Sequence, residues 1–153
     1  MAGEDRPELG TDLRLELRNY ELRPVYVAAA DQRTVPGQPR RLGDLGRTAG
    51  RDNLAQAVVM RLLTPRGELE ALGHPEYGSR LHELVGRPNT ASTRNLAKLY
   101  VLESLAAEPR VQKVVRVDVG PSPGTRDRVD VLLQVLPARD LEPLLIGPLT
   151  LEL

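Results

Sequence analysis

Residues 111–136 read VQKVVRVDVGPSPGTRDRVDVLLQVL, and their alternation decides the fold. Val115, Val117 and Val119 alternate with Arg116 and Asp118. Beyond the turn formers of PSPGT, Val129, Val131, Leu133 and Val135 alternate with Arg128, Asp130 and Gln134. A period of two puts successive side chains on opposite faces, so each run reads as a half-buried strand. Joined by the Pro- and Gly-rich link at 120–125, the two runs predict a β-hairpin. The pattern resumes from Leu144 to Leu153, where Leu149, Leu151 and Leu153 share one side up to the last residue.

Upstream of the hairpin the period lengthens. Leu96, Leu99, Leu102 and Ala106, with Tyr100 and Leu105 beside them, predict a helix capped by Asn89 or Thr90 and stopped before Pro109. Ser79 opens a shorter helix through Val85, closed by Gly86 and Pro88. Asp52 or Asn53 caps a third, running to Leu63, with Leu54, Ala57, Val58 and Leu62 inward and Arg51 and Arg61 outward. Pro65 ends it. Nearer the N-terminus, Leu13, Leu15 and Leu17 alternate with charges as a strand, and Leu22 to Ala28 is a weaker one that Pro24 confines to an edge or bulge. Residues 1–10 read as a flexible end and residues 31–50, rich in Arg, Gly and Pro, as a long surface loop. The expected fold is α+β in a single domain over 11–153. It is a mainly antiparallel sheet of N- and C-terminal strands with about three helices on one face.

Composition narrows the function. The chain has 153 residues, no Cys, no Phe and no Trp, and its 21 Lys plus Arg balance 21 Asp plus Glu. The absence of Cys removes disulfide and thiolate chemistry. Zero net charge argues against bulk nucleic-acid binding, which runs on phosphate neutralisation. Arg40, Arg41 and Arg47 make the 31–50 loop locally basic, a weak nucleic-acid candidate that reads better as a solvated loop in an Arg-rich chain. No apolar run is long enough to span a membrane, and MAGEDRPELG does not read as a signal peptide.

The catalytic inventory is thin. His74 and His82 do not have the spacing of a common zinc motif, and no carboxylate cluster accompanies them, so no metal or other cofactor is expected. Ser79 and His82 lack an elbow or oxyanion loop around them. Glu68, Glu70 and Glu76 offer carboxylates for glycoside hydrolysis, but Tyr77 is a poor sugar platform in a chain without Trp. No catalytic residue is assigned, and a non-enzyme is expected. Two Pro-stiffened, charged segments stand out instead: 62–81 and the corner Glu108-Pro109-Arg110.

Those segments carry a resemblance. LLTPRGEL (62–69), HPEYGSRLHELVG (74–86), PNT (88–90) and LYVLESLAAEPRV (99–111), in this order, resemble the baseplate wedge or sheath-initiator family of contractile injection machines. That family spans a T-even phage baseplate protein, a type VI secretion baseplate subunit and counterparts in extracellular injection particles, and an older label for it is "lysozyme-like". The likeness runs from about Asn53 to Leu136.

The resemblance implies a structural part in a sixfold ring on the baseplate, close to the inner tube or hub, that templates the first ring of sheath. It implies that Glu108, Pro109 and Arg110 project as a corner that docks on the wedge proteins' core bundle. It also implies a motif loop comprising Thr64, Pro65, Arg66, Gly67, Glu68, His74, Pro75, Tyr77 and Gly78. Strand exchange with the sheath subunit would use Leu149, Leu151 and Leu153. The protein would assemble in the bacterial cytoplasm and end in a tail-like particle. The alternative, suggested by the older label, is a tail-associated muramidase.

Overall fold

The computed structural model describes residues 7–18, 21–27 and 44–153, which fall into two compact units divided after Asn53. Arg40, Arg41 and most of the 31–50 loop lie outside the described residues.

The first unit is built from very short strands. β1 (Thr11–Leu13), β2 (Leu15–Arg18), β3 (Glu21–Pro24), β4 (Tyr26–Val27), β5 (Asp44–Leu45) and β6 (Arg47–Ala49) pair antiparallel as β1–β6, β2–β3 and β4–β5. The Leu13-Leu15-Leu17 run is therefore two strands. It breaks at Arg14, whose N–H donates to Gly46 O and whose carbonyl accepts from Val25 N. Leu13 and Leu17 are 45% and 38% exposed, not half-buried on one face. Residues 44–49, expected as loop, are strands; runs of two or three residues are too short to show a period. Within the expected flexible end, Pro7–Leu9 form a 3-10 turn with Leu9 buried. Asn53 donates from its side chain to Leu9 O at 2.9 Å, so it ties down the chain instead of capping a helix.

The second unit carries the sheet. β7 (Val111–Pro121), β8 (Arg128–Pro137) and β9 (Leu144–Glu152) are antiparallel in the order β7-β8-β9. Among the described residues none of the N-terminal strands joins this sheet, so the expectation of one sheet built from both ends is corrected. Central β8 alternates without a break, with Val129, Val131, Leu133 and Val135 buried, as a strand with one covered face should. Leu149, opposite Val131, points into the same core at 4% exposure. On β7, irregular pairing between Val114 and Arg116 breaks the expected alternation and turns Val115 outward at 45% exposure.

Two α-helices are present among the described residues, not about three: α1 (Gly50–Leu63) and α2 (Ala91–Ala106). The third is a 3-10 turn, Leu81–Leu84. Between Gly78 and Gly86 there is too little chain to nucleate an α-helix. Ser79 donates its hydroxyl to Leu62 O at 2.6 Å, and the same oxygen accepts from Leu81 N at 3.3 Å at the start of the turn. Thr90 caps α2 by accepting from Thr93 N. The face of α2 differs from expectation: Thr93, Ala97, Tyr100, Val101, Ser104 and Leu105 are buried, while Leu99 and Leu102 are 56% and 43% exposed. α2 packs on β7, with Leu99 and Leu102 on its exposed side.

Candidate functional site

The site begins where α1 ends. Leu54, Val58 and Leu62 are buried at helical spacing, and Arg61 sits on the edge of that stripe. Arg61 was expected to face solvent; it is 8% exposed. Its guanidinium lies 4.5 Å from the centre of the Tyr77 ring, and its Nε is 3.5 Å from Glu108 Oε2. That Nε is buried without a hydrogen bond, so charge and ring contact hold it.

Tyr77 reaches this position because the 64–79 loop is clamped. Pro65 pairs with Ser79 as a parallel bridge, with Ser79 N donating to Thr64 O and Arg66 N to Ser79 O. Gly78, at φ +106°, makes the close approach possible: a Cβ there would stand 2.5 Å from Thr64 O and 2.8 Å from Pro65 O. Ser104 of α2 donates to Gly78 O at 2.9 Å and fastens the clamp to the long helix.

Glu108 and Arg110 close the site. The helix ends at Ala106, and Glu108 N donates back to Leu105 O. Glu108 does not project, as the corner reading expected; it is 4% exposed. Its Oε1 accepts from Arg110 Nε at 2.7 Å and from Arg110 N, and its Oε2 accepts from Arg110 Nη2 at 3.3 Å. A charge leaving water needs such partners, and once it has them it turns inward. Pro109 is exposed and the Arg110 side chain is 30% exposed. The corner therefore shows solvent a proline and a guanidinium.

Burial pushes the Glu108 carboxyl up, but the hydrogen bond from Arg110 and the charges of Arg110 and Arg61 outweigh it, leaving the group below the usual glutamate range. Burial raises the Tyr77 phenol; Arg61 and Arg110 oppose that rise and Glu108 adds to it.

A second cluster flanks the first. Arg66 pairs with both Glu76 and Glu103, Arg80 binds Glu83 through Nε and Nη2 at 2.8 and 2.9 Å, and the Arg80 guanidinium stacks 4.4 Å from the Tyr100 ring. A shallow cleft of about 20 Å³ lies here, room for roughly one water. Of the carboxylates weighed for hydrolysis, Glu76 is committed to Arg66, while Glu68 and Glu70 are exposed. His74, Pro75 and His82 are exposed, and His82 Nδ1 faces the backbone oxygen of Ser79, not its hydroxyl. Among the described residues no group of three or more His, Cys, Asp or Glu could hold a metal ion, and no helix is long and apolar enough to cross a membrane.

The structure thus unites Tyr77 and Gly78 of the motif loop with Glu108 and Arg110, and adds Arg61. Leu149 and Leu151 lie in the β8–β9 ladder opposite Val131 and Val129, and Leu153 N donates to Asp127 O. No protein-family model and no curated protein matches the chain. Solved structures do match: one is a Geobacter sulfurreducens protein described, provisionally, as a tail lysozyme, with a TM-score of 0.53 and 20% identity over 69% of this chain and 93% of that one. At that identity the two share a fold.

Proposed function

We propose that this chain is a non-enzymatic baseplate component of a contractile injection machine, docking on wedge proteins through the Glu108-Pro109-Arg110 corner and templating the first ring of sheath. The observation that carries this reading is the corner itself. A buried, doubly paired carboxylate holds an exposed proline and a partly exposed guanidinium in one geometry. Such an arrangement suits a fixed contact with another protein, because a preorganised arginine fork loses little freedom when it meets a carboxylate. The likeness to a protein described as a tail lysozyme is consistent with a tail-like particle as its setting. For the sheath contact, Leu149 is turned into the chain's own core, so the surface on offer is the backbone edge of β9. In this reading the protein assembles in the bacterial cytoplasm and joins a sixfold ring near the tube.

The test is co-purification with wedge proteins. Arg110→Ala leaves Glu108 paired with Arg61, so the fold persists while capture of the wedge is lost. Undiminished capture by a folded Arg110→Ala protein would refute the docking role.

The second reading is a tail-associated muramidase, favoured by the description that the structural neighbour carries. It requires that purified protein clear a peptidoglycan suspension and that Glu68→Gln stop it. No clearing at high protein concentration would remove this reading.

A further inference from the structure

The sheet of the second unit has one buried face and one open face. On β8, Val135 is buried and Leu136, next along, turns to the open face. Lys113 lies opposite Leu136, and Leu145 lies opposite Gln134, so both share that face. Leu145 is 62% exposed, and Val115 is turned outward beside it on β7. The turn from β8 to β9 then holds Arg139 and Leu141, the latter 95% exposed. Lys113 and Arg139 are exposed, and neither side chain has a partner among the described residues. The open face of an antiparallel sheet is ordinarily polar, and an apolar patch edged with charge marks a contact.

The other side of the same unit carries the complement. The 3-10 turn Glu70–Leu72 buries none of its residues, and Leu72 is 73% exposed. Glu68 and Glu70 beside it are exposed, with side chains that have no partner among the described residues. The turn is nonetheless fixed. Leu72 N and His74 N both donate to Leu69 O, and Gly73, left-handed at the end of the turn, donates to Glu70 O. It is a preorganised apolar knob flanked by two carboxylates. Its loop is fastened to α2 by Ser104 and by the Arg66–Glu103 pair, and α2 packs on the buried face of the sheet. Knob and patch therefore face away from each other, and one copy cannot join them to itself.

We infer that the knob of one copy docks in the patch of the next. Leu72 meets Leu136, Leu141 and Leu145, while Glu68 and Glu70 face Lys113 and Arg139. Charge selects the occupant: a second copy supplies two free carboxylates beside an exposed leucine, the complement of two free cations beside exposed leucines. Two different surfaces meeting head to tail close into a ring when their rotation closes. The contact is independent of the Glu108-Pro109-Arg110 corner.

Sedimentation velocity of the full-length protein, at concentrations up to about 1 mM, reads the contact. The wild type sediments faster as concentration rises. Leu72→Ser, the pair Glu68→Lys with Glu70→Lys, and the pair Lys113→Glu with Arg139→Glu each associate at least about tenfold more weakly. All five positions are exposed, so thermal denaturation shows each variant folded as the wild type is. A chain carrying all four charge reversals has the wild-type net charge, a basic knob and an acidic patch. It regains association to within about threefold of the wild type. Arg87→Glu with Lys98→Glu matches the net charge of the patch pair but belongs to neither surface, and it also stays within about threefold.

A wild type that remains monomeric throughout overturns the inference. So does a fourfold variant no better than its halves, or an equal loss in Arg87→Glu with Lys98→Glu. Loss confined to the patch pair, as a patch-to-patch dimer would give, overturns it too.

Discussion

Replacing Glu108 with Gln tests the energetic centre of the site. The substitution keeps the shape and removes the charge, so Arg61 is left buried without the one carboxylate it pairs with among the described residues, and a side-chain amide now faces guanidinium donors. Breaking a buried ion pair by removing one partner costs about 3–5 kcal/mol. The Arg110 half is nearer the rim and adds about 0–1 kcal/mol. Arg61 keeps its contact with the Tyr77 ring, which places the expected loss near the lower bound, at about 3 kcal/mol. For a chain of this size that is a drop of roughly 6–12 °C in melting temperature. Urea denaturation followed by circular dichroism measures it directly. The double variant Arg61→Met with Glu108→Gln removes both buried charges and recovers to within about 1 kcal/mol of the wild type. A loss below about 1 kcal/mol for Glu108→Gln, or a double variant no better than the single one, would refute the buried-pair argument.

Three further outcomes follow. Gly78→Ala forces a side chain onto the carbonyls of Thr64 and Pro65 and loses about 3 kcal/mol in a denaturation midpoint, whereas Gly73→Ala, with open space around it, loses only about 1 kcal/mol for its positive φ. Leu105→Ala, in the core, costs about 2–5 kcal/mol, while Leu102→Ser, on the exposed side of α2, stays within about 0.5 kcal/mol by the same measurement. Because the folded-state pKa of Glu108 lies below its unfolded value, its contribution is present above the ordinary glutamate value of about 4.3 and is lost as pH falls through the folded one. The stability gap between wild type and Glu108→Gln therefore narrows as pH drops below about 4 and is unchanged near neutrality.

The C-terminal sheet was legible because β8 carries one apolar residue at every second position and each faces the same core. The cap of α2 was legible because Thr90 lies just before a helical run bounded by Pro88 and Pro109. Its buried face was not. Leu96, Leu99 and Leu102 mark one stripe and Ala97, Val101 and Leu105 another, and periodicity cannot choose between two apolar stripes on one helix. At the Glu108-Pro109-Arg110 corner both charges were found, but Glu108 was given the wrong direction. Besides Arg110, the buried carboxylate meets a second cation supplied from far away in sequence. Arg61 was that cation, and its one local signal was its position at the edge of the Leu54-Val58-Leu62 stripe. The strands at 44–49 are shorter than any period that could reveal them.

The irregular ladders have a consequence for behaviour at high concentration. β7 shifts register at two places against β8, and β9 shifts once, near Gly147 and Pro148, where proline offers no N–H. Both outer strands of the sheet are thus poor templates for an arbitrary neighbour, since a straight chain laid along either would fall out of step within a few residues. Copies crowded together would resist fibre growth through these edges, and only a strand carrying the matching offset could add to the sheet.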